Sequence, residues 1–329
     1  LADHAPDGYE VGMECTHHGP SDVGVPSMFI ELGSDEQQWD DPAGARAVAQ
    51  AILDIRGVAA HREPANGSET GRQLVGFGGG HYTPRFERLV RDTSWAMGHI
   101  AADWGLDAIG EFDDEGRAVL AEAFEQSEAE YAVVDGDRPE VVEAVDAAGY
   151  RAVSETWVRE TESVPLAFVN AAEEVAPVED GLRFGEPAAE YEGREFVEDE
   201  IPTDLLDEAC GIDREQCLAL FRTRALAFVT SQGGSRPTGT VLLREESERA
   251  ALVAELLSVL EERFDTVERN GETAIARERR FDPGKAKTLG VPEGPAFGKL
   301  ADGETVEVNG RTIPPEKVQS EREVEFSVE

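Results

Sequence analysis

Lysine is almost missing from this sequence. Four lysines occur in 329 residues, all between Lys285 and Lys317. With 69 Asp and Glu against 30 Lys and Arg the net charge is −39, a self-repulsion that opposes compaction in dilute buffer. At about 1 M salt the Debye length falls to ~3 Å and the repulsion is screened. The acid is spread over the whole chain instead of forming one tail, so it reads as adaptation to a salt-rich cytoplasm and not as the imprint of a basic partner. Cysteine is scarce as well. Cys15, Cys210 and Cys217 give neither a disulfide framework nor a C-x-x-C zinc ribbon, which points to a reducing compartment. No apolar run approaches the length of a membrane span and no signal peptide is visible; the reading is cytoplasmic, with no membrane partner. Methionine is missing from the start, where Leu1 opens what reads as a helix end, and the natural protein is expected to begin upstream. No histidine lies beyond position 99, so the chemistry is sought in the first third.

What is there divides near residue 165. Residues 1–163 alternate strand and helix signals; residues 164–329 lack histidine and mix acid-rich loops with short helices. The length suits two ordinary domains, and no internal repeat is apparent. Alternation at 9–16 and the apolar run 27–32 predict strands. Asp41-Pro42 predicts a helix start, with the helix running to about Arg56, and 61–71 reads as a turn-rich loop. Further strands are predicted at 72–77, 131–134 and 150–158, and helices at 113–127 and 139–148. This rhythm argues for a layered α/β/α domain with a mixed, partly parallel sheet. The second half reads as an acidic α+β extension, with helices at 204–209, 214–222 and 245–264, a strand at 273–278 and a hairpin around Asn309-Gly310.

The first half is organised around Gly76-Phe77-Gly78-Gly79-Gly80-His81-Tyr82-Thr83-Pro84-Arg85-Phe86. It reads as a buried strand end, a glycine loop that lets backbone approach a ligand, an exposed His and Tyr, and a helix opened by Thr83-Pro84. Free amides at such a helix start favour a phosphate, a carboxylate or a developing oxyanion. A Rossmann reading fails because the third glycine would fall at position 81, which is His81, and no G-x-S-x-G elbow exists for a serine hydrolase. Arg85, Arg88 and Arg91 form a stripe that serves either as a solvated helix face or as a contact to a nucleic-acid backbone.

Glu14, His17 and His18 form E-x-x-H-H just after a predicted strand; with His81 and His99 they supply enough imidazole and carboxylate for a zinc site. This is not the helical H-E-x-x-H pattern. A hydrogen-bonded structural histidine is the plain alternative for each, and His99, between Trp95 and Ile100, suits a core position equally well. His4 and His61 read as surface residues. Cys15 falls on a buried strand face with no cation beside it, which argues against a nucleophile. General acid/base or metal-assisted hydrolysis is left.

Four blocks in order, Glu14-Cys15-Thr16-His17-His18-Gly19-Pro20-Ser21, Pro26-Ser27-Met28-Phe29-Ile30-Glu31-Leu32-Gly33-Ser34 with Trp39, Gly76 to Arg85, and Gly98-His99-Ile100, closely resemble the D-aminoacyl-tRNA deacylases of the archaeal and plant type. The resemblance covers residues 8–160. It implies a fold similar to peptidyl-tRNA hydrolase and nucleoside phosphorylases, a Zn2+ requirement, and hydrolysis of the ester between a D-amino acid and the terminal ribose of tRNA. Carried over by position, Glu14, His17, His18 and His81 become the catalytic set, and His17, His18, His81 and His99 the metal set. Gly78, Gly79, Gly80, Tyr82 and Arg85 become the pocket for the tRNA acceptor end. The family also has an N-terminal part with histidine motifs that has no counterpart here, so a truncated chain is expected. Residues 289–300, Leu-Gly-Val-Pro-Glu-Gly-Pro-Ala-Phe-Gly-Lys-Leu, resemble a stretch of the tRNA 3′-processing endonucleases, which implies either tRNA docking or a plain surface hairpin. The expected partner is D-aminoacyl-tRNA, with the protein a monomer and no DNA partner. The alternatives are a non-catalytic RNA-end or metal-binding module, and an enzyme of similar fold acting on nucleosides or peptidyl-tRNA.

Overall fold

A computed structural model describes residues 1–19, 24–33, 35–60 and 71–328. His61, the loop at 61–70 and part of the polar loop after His18 lie outside these residues. The chain forms two compact units, Leu1–Val169 and Asn170–Glu329.

In the first unit α1 (Glu36–Trp39) precedes α2 (Pro42–Asp54), and Asp41 caps α2 by accepting from the Ala43 amide at 2.8 Å with Pro42 in the first position. There follow β1 (Gln73–Phe77), α3 (Pro84–Asp92), β2 (Ala96–Ala101), α4 (Asp103–Ile109), α5 (Asp114–Ser127), β3 (Tyr131–Val134), α6 (Pro139–Ala147), β4 (Arg151–Ala152) and α7 (Glu155–Glu160). The strands pair in the order β2-β1-β3-β4, parallel at every described pairing, a more uniform sheet than the expected mixed one. Parallel neighbours need helical crossovers, and these cover both faces. Val75 and Phe77 pack with Leu120, Phe124, Val141 and Val145 from α5 and α6. A Cβ on Gly76 would lie 3.0 Å from the Phe86 ring of α3, so α3 covers the opposite face. The α/β/α layering follows. The chain leaves β1 toward β2 but leaves β3 toward β4, which puts the topological switch point at the C-terminal ends of β1 and β3, where ligands of such sheets gather.

Three expected strands change. Residues 9–16 are extended but make only an isolated bridge, Glu14 with Tyr82. Residues 27–32 join no ladder, and Met28 and Phe29 are exposed. An apolar run reads as strand only when a neighbour offers a continuous ladder; 9–16 finds backbone partners only at its end, from Met13 to Thr16. The third, 150–158, stops after β4 because Ser154 accepts from the Trp157 amide at 3.0 Å and opens α7; the cap prevails over the β-branched run.

The second unit begins within the helix α8 (Leu166–Ala172). A four-stranded antiparallel sheet is built from β5 (Leu182–Phe184), β6 (Val197–Glu200), β7 (Ala227–Ser231) and β8 (Arg236–Leu243), in the order β5-β7-β8-β6. Helices α9 (Thr203–Ile212), α10 (Arg214–Arg224) and α11 (Glu246–Leu260) pack with it in one large core. A second antiparallel sheet joins β9 (Thr266–Asn270) and β10 (Thr273–Phe281) to the last strand, Gln319–Ser327. Between them lie α12 (Pro283–Thr288), α13 (Pro295–Ala301) and the hairpin β11 (Val306–Val308) to β12 (Arg311–Ile313). Its turn residues Asn309 and Gly310 both have positive φ, as the Asn-Gly pair predicts. The expected α+β extension is therefore present. No helix among the described residues is long and apolar enough to cross a membrane.

Candidate active site

The site is assembled where the extended segment 13–16 lies against the loop after β1. The Cys15 amide donates to the His81 carbonyl at 2.9 Å, and Thr83 donates to the Met13 carbonyl through both its amide, at 2.9 Å, and its hydroxyl, at 3.1 Å. Thr83 thus occupies the N-cap position of α3 but spends its side chain on holding this segment. One residue further, the Thr16 amide donates to the Ile100 carbonyl at 2.9 Å, and the Ile100 amide to Thr16 Oγ1 at 3.1 Å. The segment is stitched to both the glycine loop and β2.

This clamp brings two imidazoles to one carboxylate, with a third stacked alongside. Glu14 Oε1 stands 3.3 Å from His81 Nε2 and Glu14 Oε2 stands 3.7 Å from His17 Nε2. The His17 ring centroid lies 4.1 Å from that of His18 and 4.4 Å from that of His81. His17 Nδ1 is 2.8 Å from the Cys15 carbonyl, an acceptor only, so Nδ1 carries the proton and Nε2 keeps its lone pair. Cys15 Sγ lies 4.0 Å from the same Nδ1. The ligand atoms of Cys15, His17 and His81 all fall within 4.8 Å of one another. Burial pushes the Cys15 thiol up, and the nearby Glu14 charge adds to the shift.

The glycine loop is shaped by the loop after β3. Gly78 has φ +98° and a Cβ there would sit 2.2 Å from the Asp135 carbonyl oxygen. Gly79 has φ +84° and its Cβ would meet Asp135 Oδ2 at 3.0 Å. Both glycines are demanded by this close crossing. Their amides are already used: Gly78 donates to the Ala101 carbonyl at 2.8 Å, and Gly79 to Asp103 Oδ1 at 3.0 Å. Gly80 differs, with open space where its Cβ would be. Among the described residues its amide and that of His81 have no hydrogen-bond partner.

The family of D-aminoacyl-tRNA deacylases matches residues 1–153. A D-aminoacyl-tRNA deacylase of Haloarcula marismortui is 50% identical over 326 residues, covering 98% of this chain and 72% of its own length. One of Natronomonas pharaonis is 49% identical over 324 residues, with coverages of 98% and 71%. The chain belongs to the D-aminoacyl-tRNA deacylase family. Outside the halophiles, a family member of Methanoculleus marisnigri is 31% identical over 341 residues, 97% of this chain and 71% of its own. No solved structure matches.

Against this deacylase framework, Glu14, His17 and His81 come together as the sequence implies. His18 stacks near His17 but turns its Nε2 to Glu31, 2.5 Å away, with Phe29 beside its ring. His99, on β2, lies outside the Cys15, His17 and His81 group, and burial lowers its pKa, which favours the neutral imidazole. Tyr82 is exposed and meets His81 edge-on at 5.1 Å. Arg85 is occupied, donating to the Val134 carbonyl at 3.0 Å and to Asp135 at 3.3 Å. The sequence argues against Cys15 as a nucleophile but does not reveal its place among possible ligands, although Cys15-Thr16-His17 puts a thiol and an imidazole two positions apart. Asp103 and Asp135, which fix the glycine loop, carry no local signal at all.

Proposed function

We propose that the chain hydrolyses the ester joining a D-amino acid to the terminal ribose of tRNA, releasing the free D-amino acid and tRNA. The observation that carries this is the Glu14 carboxylate standing 3.7 and 3.3 Å from the Nε2 atoms of His17 and His81, beside the amides of Gly80 and His81, which have no hydrogen-bond partner among the described residues. In this reading Glu14 takes a proton from water as the water oxygen attacks the ester carbonyl. The amides of Gly80 and His81 receive the oxyanion, a role that Gly78 and Gly79 leave to them because their own N–H groups are committed. Glu14 then returns that proton to the ribose oxygen as the C–O bond breaks, and His81, half exposed with its Nε2 3.3 Å from Glu14 Oε1, is left to hold a metal.

The donor set suits zinc. A buried thiol with a raised pKa gains from a cation beside it, and two imidazoles with one thiolate match the borderline preference of Zn2+. Zinc held by Cys15, His17 and His81 would polarise the ester carbonyl and lower the pKa of a bound water. The deciding assay is deacylation of D-Tyr-tRNA and L-Tyr-tRNA at about 1 M KCl, where surface repulsion is screened, before and after dialysis against a chelator. Hydrolysis of the D-ester alone, lost on chelation and restored by Zn2+, is the expected result. Equal rates on both enantiomers would sink the proofreading role, and full activity of a metal-free sample would sink the zinc requirement.

The arginine stripe of α3 is not part of this reading. Arg88 forms a two-pronged pair with Glu155, at 3.2 and 2.8 Å, and its hydrogen bonds hold the Glu155 carboxyl below the usual carboxylate range. Arg91 pairs with Glu87 at 2.7 Å. Arg88→Gln is therefore expected to leave KM for aminoacyl-tRNA within about twofold, as for a surface pair internal to the fold. A tenfold rise, set against the ~1 log unit that phosphate contacts are capable of giving, would reinstate the stripe as an RNA contact.

A further inference from the structure

The smallest core of the second unit holds Ala286, Val291, Leu300, Val306, Ile313 and Val318. Every lysine of the chain decorates the segment built on it. Residues 281–318 carry five Lys and Arg against six Asp and Glu, a net charge of −1, while all remaining residues together carry −38. In a chain that has otherwise dispensed with lysine, keeping all four on one small module calls for a local reason.

The pairing of these lysines narrows that reason. Lys285 donates to the Gln319 carbonyl at 2.6 Å, a neutral partner that leaves its charge uncompensated. Lys299 and Lys317 form no ion pair among the described residues; Lys287 alone of the four does, with Glu293. Lys285 and Lys317 line one cleft of about 530 Å³, together with Gly284, Thr288, Leu289 and Asp282. Asp282 Oδ1 is turned to cap α12 by accepting from the Lys285 amide at 3.0 Å. Leu289 is 44% exposed, an apolar surface next to the ammonium groups. The arginines of α3, by contrast, are matched to Asp135, Glu155 and Glu87.

We infer that this lysine-bearing module is the surface that holds the phosphate backbone of the RNA substrate. It rests on the deacylase reading above. Lysine meets a phosphate as a mobile point charge, and ammonium groups without an ion-pair partner among the described residues, on a module of net charge −1, give a polyanion a place on this acidic chain where repulsion is weak.

The test replaces all four lysines, Lys285, Lys287, Lys299 and Lys317, by glutamine in one full-length variant and by arginine in another. Each is assayed on D-Tyr-tRNA and on D-tyrosyl-adenosine, which carries the same ester without the RNA body. The glutamine variant is expected to raise KM for D-Tyr-tRNA about tenfold or more with kcat unchanged. Its salt dependence of log(kcat/KM) should be shallower by roughly 0.7 to 0.9 for each phosphate that lysine no longer neutralises. Hydrolysis of D-tyrosyl-adenosine should not change, and the arginine variant should behave as wild type. An unchanged KM in the glutamine variant overturns the inference, whatever acidic partner those lysines then serve. Equal loss on both substrates, or an arginine variant as weak as the glutamine one, overturns it too. A wild type that hydrolyses neither ester refutes the deacylase reading instead; filter binding of uncharged tRNA to wild type and the glutamine variant then decides the docking surface separately.

Discussion

Glu14→Gln is expected to lower kcat for D-aminoacyl-tRNA about 10²- to 10⁴-fold, the usual range for removing a general base, with little change in KM. Glutamine keeps the shape of the side chain, and the backbone around position 14 is held by bonds from the flanking Cys15 amide and Thr83, not by the Glu14 carboxylate. What is lost is the acceptor. The amide cannot take a proton from water, nor place an anion 3.3 and 3.7 Å from the two Nε2 atoms. His81→Ala should be comparably damaging, since it removes one imidazole of the proposed zinc set beside Glu14. A double substitution should cost little more than either alone, because groups acting as one unit are strongly non-additive. The measurement is single-turnover deacylation of D-Tyr-tRNA, with circular dichroism to show that the fold is intact. A Glu14→Gln enzyme within about threefold of wild type, far short of the usual effect of losing a base, would move catalysis elsewhere.

The second large effect concerns stability. Gly78→Ala combines a left-handed φ of +98° with a Cβ placed 2.2 Å from a backbone oxygen, that of Asp135. The conformation alone costs about 1 to 2 kcal/mol, and the clash cannot be relieved by rotating a side chain. A total loss of about 3 kcal/mol or more is expected, in the range of backbone strain at a fixed crossing. For a unit of this size that amounts to a fall in Tm of roughly 10 °C. Gly80→Ala is the control, since nothing lies within 4 Å of its Cβ; its Tm should hold. If the two melt alike, the glycines do not divide into structural and substrate-facing positions.

Much of this was legible in the sequence, and the reason differs from element to element. The Asp41-Pro42 cap, the strands around Val75 and Val133, and the Asn309-Gly310 hairpin are local devices whose residue types match their backbone demands. No spacing rule joins position 14 to position 81; the gathering of Glu14, His17 and His81 was suggested by the histidines' places after predicted strands and by the resemblance. The apolar run at 27–32 misled because strand formation depends on a neighbouring edge, which local pattern does not report. Periodicity put Arg85, Arg88 and Arg91 on one face, but not their partners: Asp135 and Glu155, distant in sequence, pair with Arg85 and Arg88, while Glu87 on the same helix pairs with Arg91. Lysine distribution worked the other way: a count over the whole chain marked a region that includes residues 289–300, whose resemblance to the tRNA 3′-processing endonucleases left docking and a plain surface hairpin both open.

The clamp between residues 13–16 and the loop after β1 has a kinetic meaning. Positions 17 and 81 are 64 residues apart, and their rings meet where the segment 13–16 is bonded both to the loop after β1 and to Ile100 on β2. A chain emerging from the ribosome therefore carries its histidines long before it has a site. Because the site needs these long-range bonds as well as the local helices, recovery of esterase activity during refolding is expected to trail the recovery of helical signal; simultaneous recovery would refute it.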